Sequence, residues 1–168
     1  MSKIPTAADE ARFWSLIESA WERVGDEPSA RRKALIERES DDEAYALQDY
    51  LDQFLDNLRA LSEGLSSAEL TDLDRVLERR LYDIDREDIQ EITDGSDDGF
   101  LYCRGFIVAM GRDFYEAVAA DPTVAIVDAD CESMCYFFAH LHNDLFGDWP
   151  NTDSGISRES TSNQAGWA

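Results

Sequence analysis

The chain has 168 residues, enough for one domain with its own core and without help from disulfides or metal. A hydrophobic content of 43% is that of an ordinary globular protein and argues against wholesale disorder. The formal net charge of −22, from 37 acidic and 15 basic residues, repels nucleic acid and anionic membranes and favours a basic partner.

The acidity is spread along the chain and is densest at Glu37–Glu43 and Asp83–Asp98. Lysine occurs only at Lys3 and Lys33, so a plain alternative is a solvated surface tuned for solubility in a salty cytoplasm. Cys103, Cys131 and Cys135 make an odd count, which reads as free thiols in a reducing compartment. Residues 1–10 lack the basic and apolar regions of a signal peptide, and the apolar run Phe106–Met110 is far shorter than a membrane span. A cytoplasmic location is the expectation.

The first helix is expected after Thr6, a cap with Asp9 three residues on, and its apolar face carries Phe13, Ile17, Ala20, Trp21 and Val24. Gly25 ends it, Gly25–Pro28 reads as a turn, and Ser29 caps a short helix through Ile36. Leu47, Leu51, Phe54, Leu55, Leu58 and Leu61 repeat at helical spacing until Gly64. Ser66 and Glu69 form the strongest capping-box pattern and open a helix with Leu70, Leu73, Leu77 and Leu81. A short helix with Ile89 and Ile92 follows Asp85 and stops near Gly95.

Phe100–Val118 leaves almost no polar face, so the pattern predicts a central, buried helix. Gly105 and Gly111 each cost about 1 kcal/mol inside a helix, which points to close contact with neighbours. Asp121-Pro122 breaks this run, and Thr123–Val127 is a short strand or extended loop. Asp130 caps a last helix with Met134, Phe137, Phe138, Leu141 and Leu145 inward, and Gly147 ends it. The expected architecture is therefore all-α: one domain over residues 1–147, a bundle of about five or six helices around a buried central helix. Residues 148–168, rich in Ser, Thr, Gly and Asn, read as a flexible tail.

One stretch is distinctive: Ser96-Asp97-Asp98-Gly99-Phe100 enters the apolar helix, followed by Arg104-Gly105 and Gly111-Arg112. With Tyr115-Glu116-Ala117, Asp121-Pro122, Cys131-Glu132 and the opening Phe13-Trp14, it resembles the bacterial family catalogued as domain of unknown function 4240, over roughly residues 9–147. Acidic residues replace the aromatic, alanine-rich helix that many members carry before the signature, and Cys103 replaces an aromatic. The resemblance implies a fold and leaves the activity open.

Asp97 and Asp98 with Arg104 and Arg112 form the most chemically suggestive polar set. As a site, the carboxylates would ligate metal or act as base while the arginines hold an anion. As structure, Asp97 would cap the helix, and Arg104, at least partly buried, would bond Asp97, Asp98 or a helix-terminal carbonyl. His140 and His142 face different ways on a helix, and Cys131 and Cys135 lack further ligands at zinc spacing, so no metal site is expected. There is no Walker sequence, dinucleotide fingerprint, nucleophile elbow or basic nucleic-acid patch, and no cofactor is expected.

The sequence favours a non-catalytic acidic protein that binds a basic protein partner, as an immunity protein or antitoxin does. The candidate interface is Asp83, Glu87, Asp88, Glu91 and Asp94. Alternatives are an enzyme or small-ligand domain centred on the Asp-Arg set, or a nucleic-acid mimic. Nothing in the sequence sets an oligomeric state.

Overall fold

The structure is a computed structural model and describes residues 2–167. The described residues form ten α-helices and three short 3-10 helices, with no strand. The helices are α1 (Ala7–Val24), α2 (Asp26–Lys33), α3 (Asp42–Gln48), α4 (Leu51–Ser62), α5 (Ser67–Asp83), α6 (Glu87–Thr93), α7 (Asp97–Ala109), α8 (Arg112–Ala120), α9 (Glu132–Cys135) and α10 (Phe137–Phe146). Helix α1 packs on α4 and α5, α5 on α7 and α10, and α7 on α9.

Local signals set the clearest boundaries. Thr6 and Asp9 exchange side-chain hydrogen bonds at the start of α1, with the Asp9 amide 3.1 Å from the Thr6 hydroxyl. Ser66 caps α5 by accepting from the Glu69 amide at 3.1 Å. Gly147 ends α10 with a φ of 80°, in the left-handed region that glycine enters without a Cβ clash.

Helices drawn as continuous by periodicity are broken in several places. Asp49 and Tyr50 divide the Leu47–Leu61 run into α3 and α4, and Tyr136 separates α9 from α10, which begins beyond Asp130. No turn intervenes after Gly25: α2 starts at Asp26, and Ser29 lies buried inside it instead of capping it. A 3-10 helix spans Pro122–Val124, where a strand or loop was expected.

The most informative break is at Gly111. Its φ of 98° separates α7 from α8, so Phe100–Val118 is two helices. A Cβ there would lie 2.5 Å from an Arg32 guanidinium nitrogen. Arg32 uses that corner: it donates to the Met110 carbonyl at 2.8 Å while gripping the Glu18 carboxylate through two nitrogens. The Trp21 indole donates to the Ala109 carbonyl at 2.7 Å. Two carbonyls orphaned by the end of α7 are thereby satisfied from α1 and α2.

Phe100, Phe106, Ile107, Val108 and Met110 are buried, as are Phe114 and Val118 of α8. Gly105 allows a close approach, since a Cβ there would meet the Cys131 carbonyl at 2.5 Å and the Cys135 sulfur at 2.7 Å. The core around these residues also takes in Phe13, Ile17, Trp21, Phe54, Leu77 and Phe138.

Residues 148–167, which composition reads as a tail, lie against α5, α7 and α9. The Arg158 guanidinium reaches the Asp74 carboxylate at 3.0 and 3.1 Å, Glu78 at 3.3 Å and the Cys135 carbonyl at 2.8 Å. Glu78 also accepts from Thr152 and Ser154. Asp85 is fully buried and accepts from the Thr161 and Asn163 amides and the Trp167 indole. The physical reason lies in α5, which turns Asp74 and Glu78 toward the interior: buried carboxylates need partners, and the C-terminal segment supplies them.

Candidate functional site

The four residues of the Asp-Arg set go to different places. Ser96, not Asp97, caps α7, accepting from the Gly99 amide at 3.2 Å. Asp97 and Asp98 are exposed on the first turn, where their charge complements the helix dipole. Arg112 lies on the surface with its Nε 2.9 Å from Glu116.

Arg104 is fully buried, but not by pairing with Asp97 or Asp98. It donates to the Leu81 carbonyl at 2.7 Å, the Arg158 carbonyl at 2.9 Å and the Ser160 hydroxyl at 3.1 Å, and lies 4.6 Å above the Phe100 ring. The Ser160 hydroxyl in turn donates to the Asp97 carbonyl. Burial lowers the Arg104 pKa, and the nearby Asp85 charge resists that shift. Arg104 therefore ties the C-terminal segment to the end of α5. Of the partners expected, a nearby carboxylate or a helix-terminal carbonyl, the fold supplies the carbonyl of Leu81 in the last turn of α5, and adds that of Arg158.

The candidate acidic interface is partly neutralised by its own arginines. Asp83 is half-buried between Arg80 at 2.9 Å and Arg79 at 3.9 Å, and burial raises its pKa despite both cations. Asp88 is held by two Arg86 nitrogens at 2.7 and 3.0 Å, and those hydrogen bonds lower its pKa. Glu91 and Asp94 are exposed, and Asp94 ends α6 in the left-handed region with a φ of 58°. Glu87, Asp88 and Glu91 line an open cleft of about 610 Å³ beside Trp167.

A second cleft, of about 450 Å³, opens where α7, α9, α10 and the C-terminal segment meet. Its floor is apolar, built from Leu101, Phe137 and Leu141. Three carboxylates stand round it: Asp98 from α7, Glu132 from α9 and Glu159 from the C-terminal segment. Tyr102, Tyr136 and His140 complete the aromatic lining. The Glu132 charge is the main cause of a raised Tyr102 pKa, with Asp98 adding to it. Burial raises Tyr136, and Glu159 adds to that. Both phenols therefore remain protonated donors facing negative charge. The basic residue at the edge, Arg59, is engaged with Asp144 at 3.0 Å.

The His140 ring meets the exposed Trp149 edge-on at 5.2 Å, which extends the aromatic surface beyond the cleft. Trp149 is 58% exposed; Leu145 and Phe146, at the end of α10, are also exposed, and the Phe146 ring lies 5.3 Å from that of His142. Sequence reasoning placed Leu145 inside and Trp149 in the tail, and it missed the cleft altogether. Its walls come from parts of the chain far apart in sequence; of them Asp98 had been named as a candidate, and Cys135 and His140 only weighed as metal ligands. The only signal available was Glu132 and Tyr136 at four-residue steps before His140 on one helical face; nothing in the sequence pointed to Tyr102 or Glu159.

His142 faces the other way, buried between α5 and α10. Its Nδ1 lies 2.7 Å from the Asp148 carbonyl and its Nε2 2.7 Å from the Ser67 hydroxyl. A carbonyl can only accept, so a neutral ring carries its proton on Nδ1 and accepts the Ser67 hydroxyl at Nε2. This is the polarity of a nucleophile-base pair, but Ser67 lines neither cleft. The contact fastens α10 to the first turn of α5.

Among the described residues no group of three or more His, Cys, Asp or Glu side chains is arranged to hold a metal ion. The three cysteines are unpaired and buried; burial raises Cys103 to about 11 and Cys131 and Cys135 to about 12. No helix among the described residues is long and apolar enough to cross a membrane.

Comparison with curated proteins and with solved structures finds no match. A family model described as a protein of unknown function, DUF4240, matches residues 34–143, more than half of the chain and the whole of α3 to α9. That span contains the signature from Ser96 to Arg112 and two of the three rim carboxylates, and on this match the chain belongs to the DUF4240 family.

Proposed function

We propose that this protein is a non-catalytic binding protein for a basic protein partner, and that the cleft between α7 and α10 is where the partner docks. The observation that carries the reading is the pairing of an apolar floor with three rim carboxylates, with the exposed Trp149 against the lining His140. Protein interfaces combine an apolar, aromatic centre with a polar rim, and a rim of one sign selects a partner of the other. The net charge of −22 extends that field over the whole molecule and steers a cation inward. Asp83, Glu87, Asp88, Glu91 and Asp94 are a second, outlying part of the same field.

The enzyme reading has less support. Its four residues do not share a cleft, since Arg104 is enclosed and Arg112 is paired on the surface. Three unpaired, buried thiols suit a reducing, cytoplasmic setting.

The test is binding of defined basic peptides to the full chain, each compared with an analogue whose cations are replaced by glutamine. Basic peptides should associate quickly at low salt and lose most of that rate by about 1 M, where screening acts over about 3 Å. Asp98→Lys with Glu132→Lys should abolish the binding, while the fold, followed by circular dichroism, persists. Equal binding of the basic and neutral peptides, or of wild type and double variant, would reject the proposal.

A further inference from the structure

Resting on that reading, we infer that the cleft takes an arginine side chain of the partner, and that Glu159 in the C-terminal segment fixes this choice. The three rim carboxylates approach from separate elements, so a ligand cation must satisfy acceptors lying in different directions. A guanidinium offers five donors in a rigid plane and stacks on aromatic faces; an ammonium is a compact, strongly hydrated point charge. Tyr102 and Tyr136 supply the flat surfaces, and Leu101 and Leu141 receive the methylene stem.

The fold already uses this chemistry beneath the same wall. The Arg158 guanidinium lies 4.5 Å from the centre of the Tyr136 ring, with Asp74 and Glu78 as its carboxylates. Its charge is balanced there, so it does not oppose a second cation above. Arg158 also sets the position of Glu159, because its buried ion pairs anchor the backbone from which the neighbouring Glu159 side chain projects to the cleft. Residues 144–168 lie beyond the stretch matched by the family model. The third carboxylate is thus contributed by a part of this chain outside the stretch that the family model matches.

The experiment is a chemical-shift titration of the full-length chain with blocked arginine amide and blocked lysine amide. It is run on wild type, Glu159→Gln and a control, Glu37→Gln, which changes the net charge equally on another face. The arginine derivative should bind roughly tenfold more tightly than the lysine one, about the worth of one charge-assisted hydrogen bond. Shifts should centre on Tyr102, Tyr136 and Glu132. Glu159→Gln should weaken arginine by roughly fivefold to tenfold and remove the preference over lysine, with Glu37→Gln close to wild type. Equal affinity for the two amides, or equal effects of the two substitutions, would overturn the inference. It would leave the docking proposal standing if Asp98→Lys with Glu132→Lys still abolishes peptide binding. Shifts confined to other surfaces would overturn it as well, and loss of peptide binding in the same samples would remove the docking proposal too.

Discussion

Charged side chains do opposite work on the two sides of the C-terminal segment. Underneath it, Asp74, Glu78, Asp85, Arg104 and Arg158 are buried and held by one another or by backbone groups. On the outer face, Asp98 and Glu132 stand at the lip of the cleft that Glu159 also lines, and Arg112 stands in solvent elsewhere, on α8. The inner set joins segments far apart in sequence. The outer set contributes little to folding and is free to meet a ligand. The difference comes from solvation: a charge that has lost its water depends on every partner, whereas an exposed one is screened and replaceable.

The sharpest way to break the comparison is to remove one inner partner. Asp74→Ala should cost about 3–5 kcal/mol in urea unfolding, because it leaves the Arg158 charge buried with only Glu78 opposite. Replacing the whole set together, Asp74→Leu and Glu78→Gln with Arg158→Met, should recover much of that loss if the cost arises from the uncompensated charge. Phe106→Ala, which removes a buried ring and no charge, should fall in the same range of about 3–5 kcal/mol. Agreement between the two would rank the ionic underside with the core.

Arg104→Met should be milder, about 1–3 kcal/mol, since it strands the Leu81 and Arg158 carbonyls but also removes a guanidinium whose Nε has no partner. Limited proteolysis should then cut near Ser160 in that variant before any other site. An unchanged cleavage pattern would show that Arg104 does not hold the segment down.

Alkaline pH offers a smaller and graded test of the buried side. The thiols keep their protons in the folded state up to about 11 for Cys103 and about 12 for Cys131 and Cys135, against 9.0 when free. Between those limits the unfolded chain binds fewer protons than the folded one, so stability should fall as pH rises through that window. The contribution is intact below the free-thiol value. At neutral pH none of the three should react with an alkylating reagent until urea unfolds the chain.

The smallest effects belong to the outer face. Arg112→Ala should leave the urea midpoint unchanged, since its Glu116 partner is equally exposed. Reversing Glu87 and Glu91, or Glu37 and Glu39, should leave the fold intact while slowing association with a basic peptide; Asp83 and Asp41 are left in place because each pairs with a part-buried arginine. The first set should slow it more if α6 belongs to the docking field. Equal rates for both sets would confine docking to the cleft.

Helix existence was legible wherever the code is local. Thr6 with Asp9, and Ser66 before Glu69, mark two starts because a cap needs only neighbours a few residues away. The apolar Phe100–Val118 run announces burial but not its break, since Gly111 reads the same inside a helix as at the corner between two. The corner becomes visible only when Arg32 and Trp21 arrive to satisfy the carbonyls. Serine-rich composition likewise conceals the seat of residues 148–167, because the attachment is made by Arg158 and by scattered hydroxyls, amides and carbonyls that meet partners on and just after α5 and on α7.

By itself, then, the amino-acid sequence determined the all-helical class, the main capped starts, most of the apolar core and the family signature. These follow from periodicity, capping chemistry and residue type, which act over a turn or two of chain. The tertiary structure decided which charges are structural and which are available. Arg104 and Arg112 belong to one signature and share a side chain, yet one is sealed beneath residues 158–160 and the other faces water. Only folding decided that Asp98, Glu132 and Glu159 surround one cleft, because desolvation and proximity arise from segments that are distant along the chain.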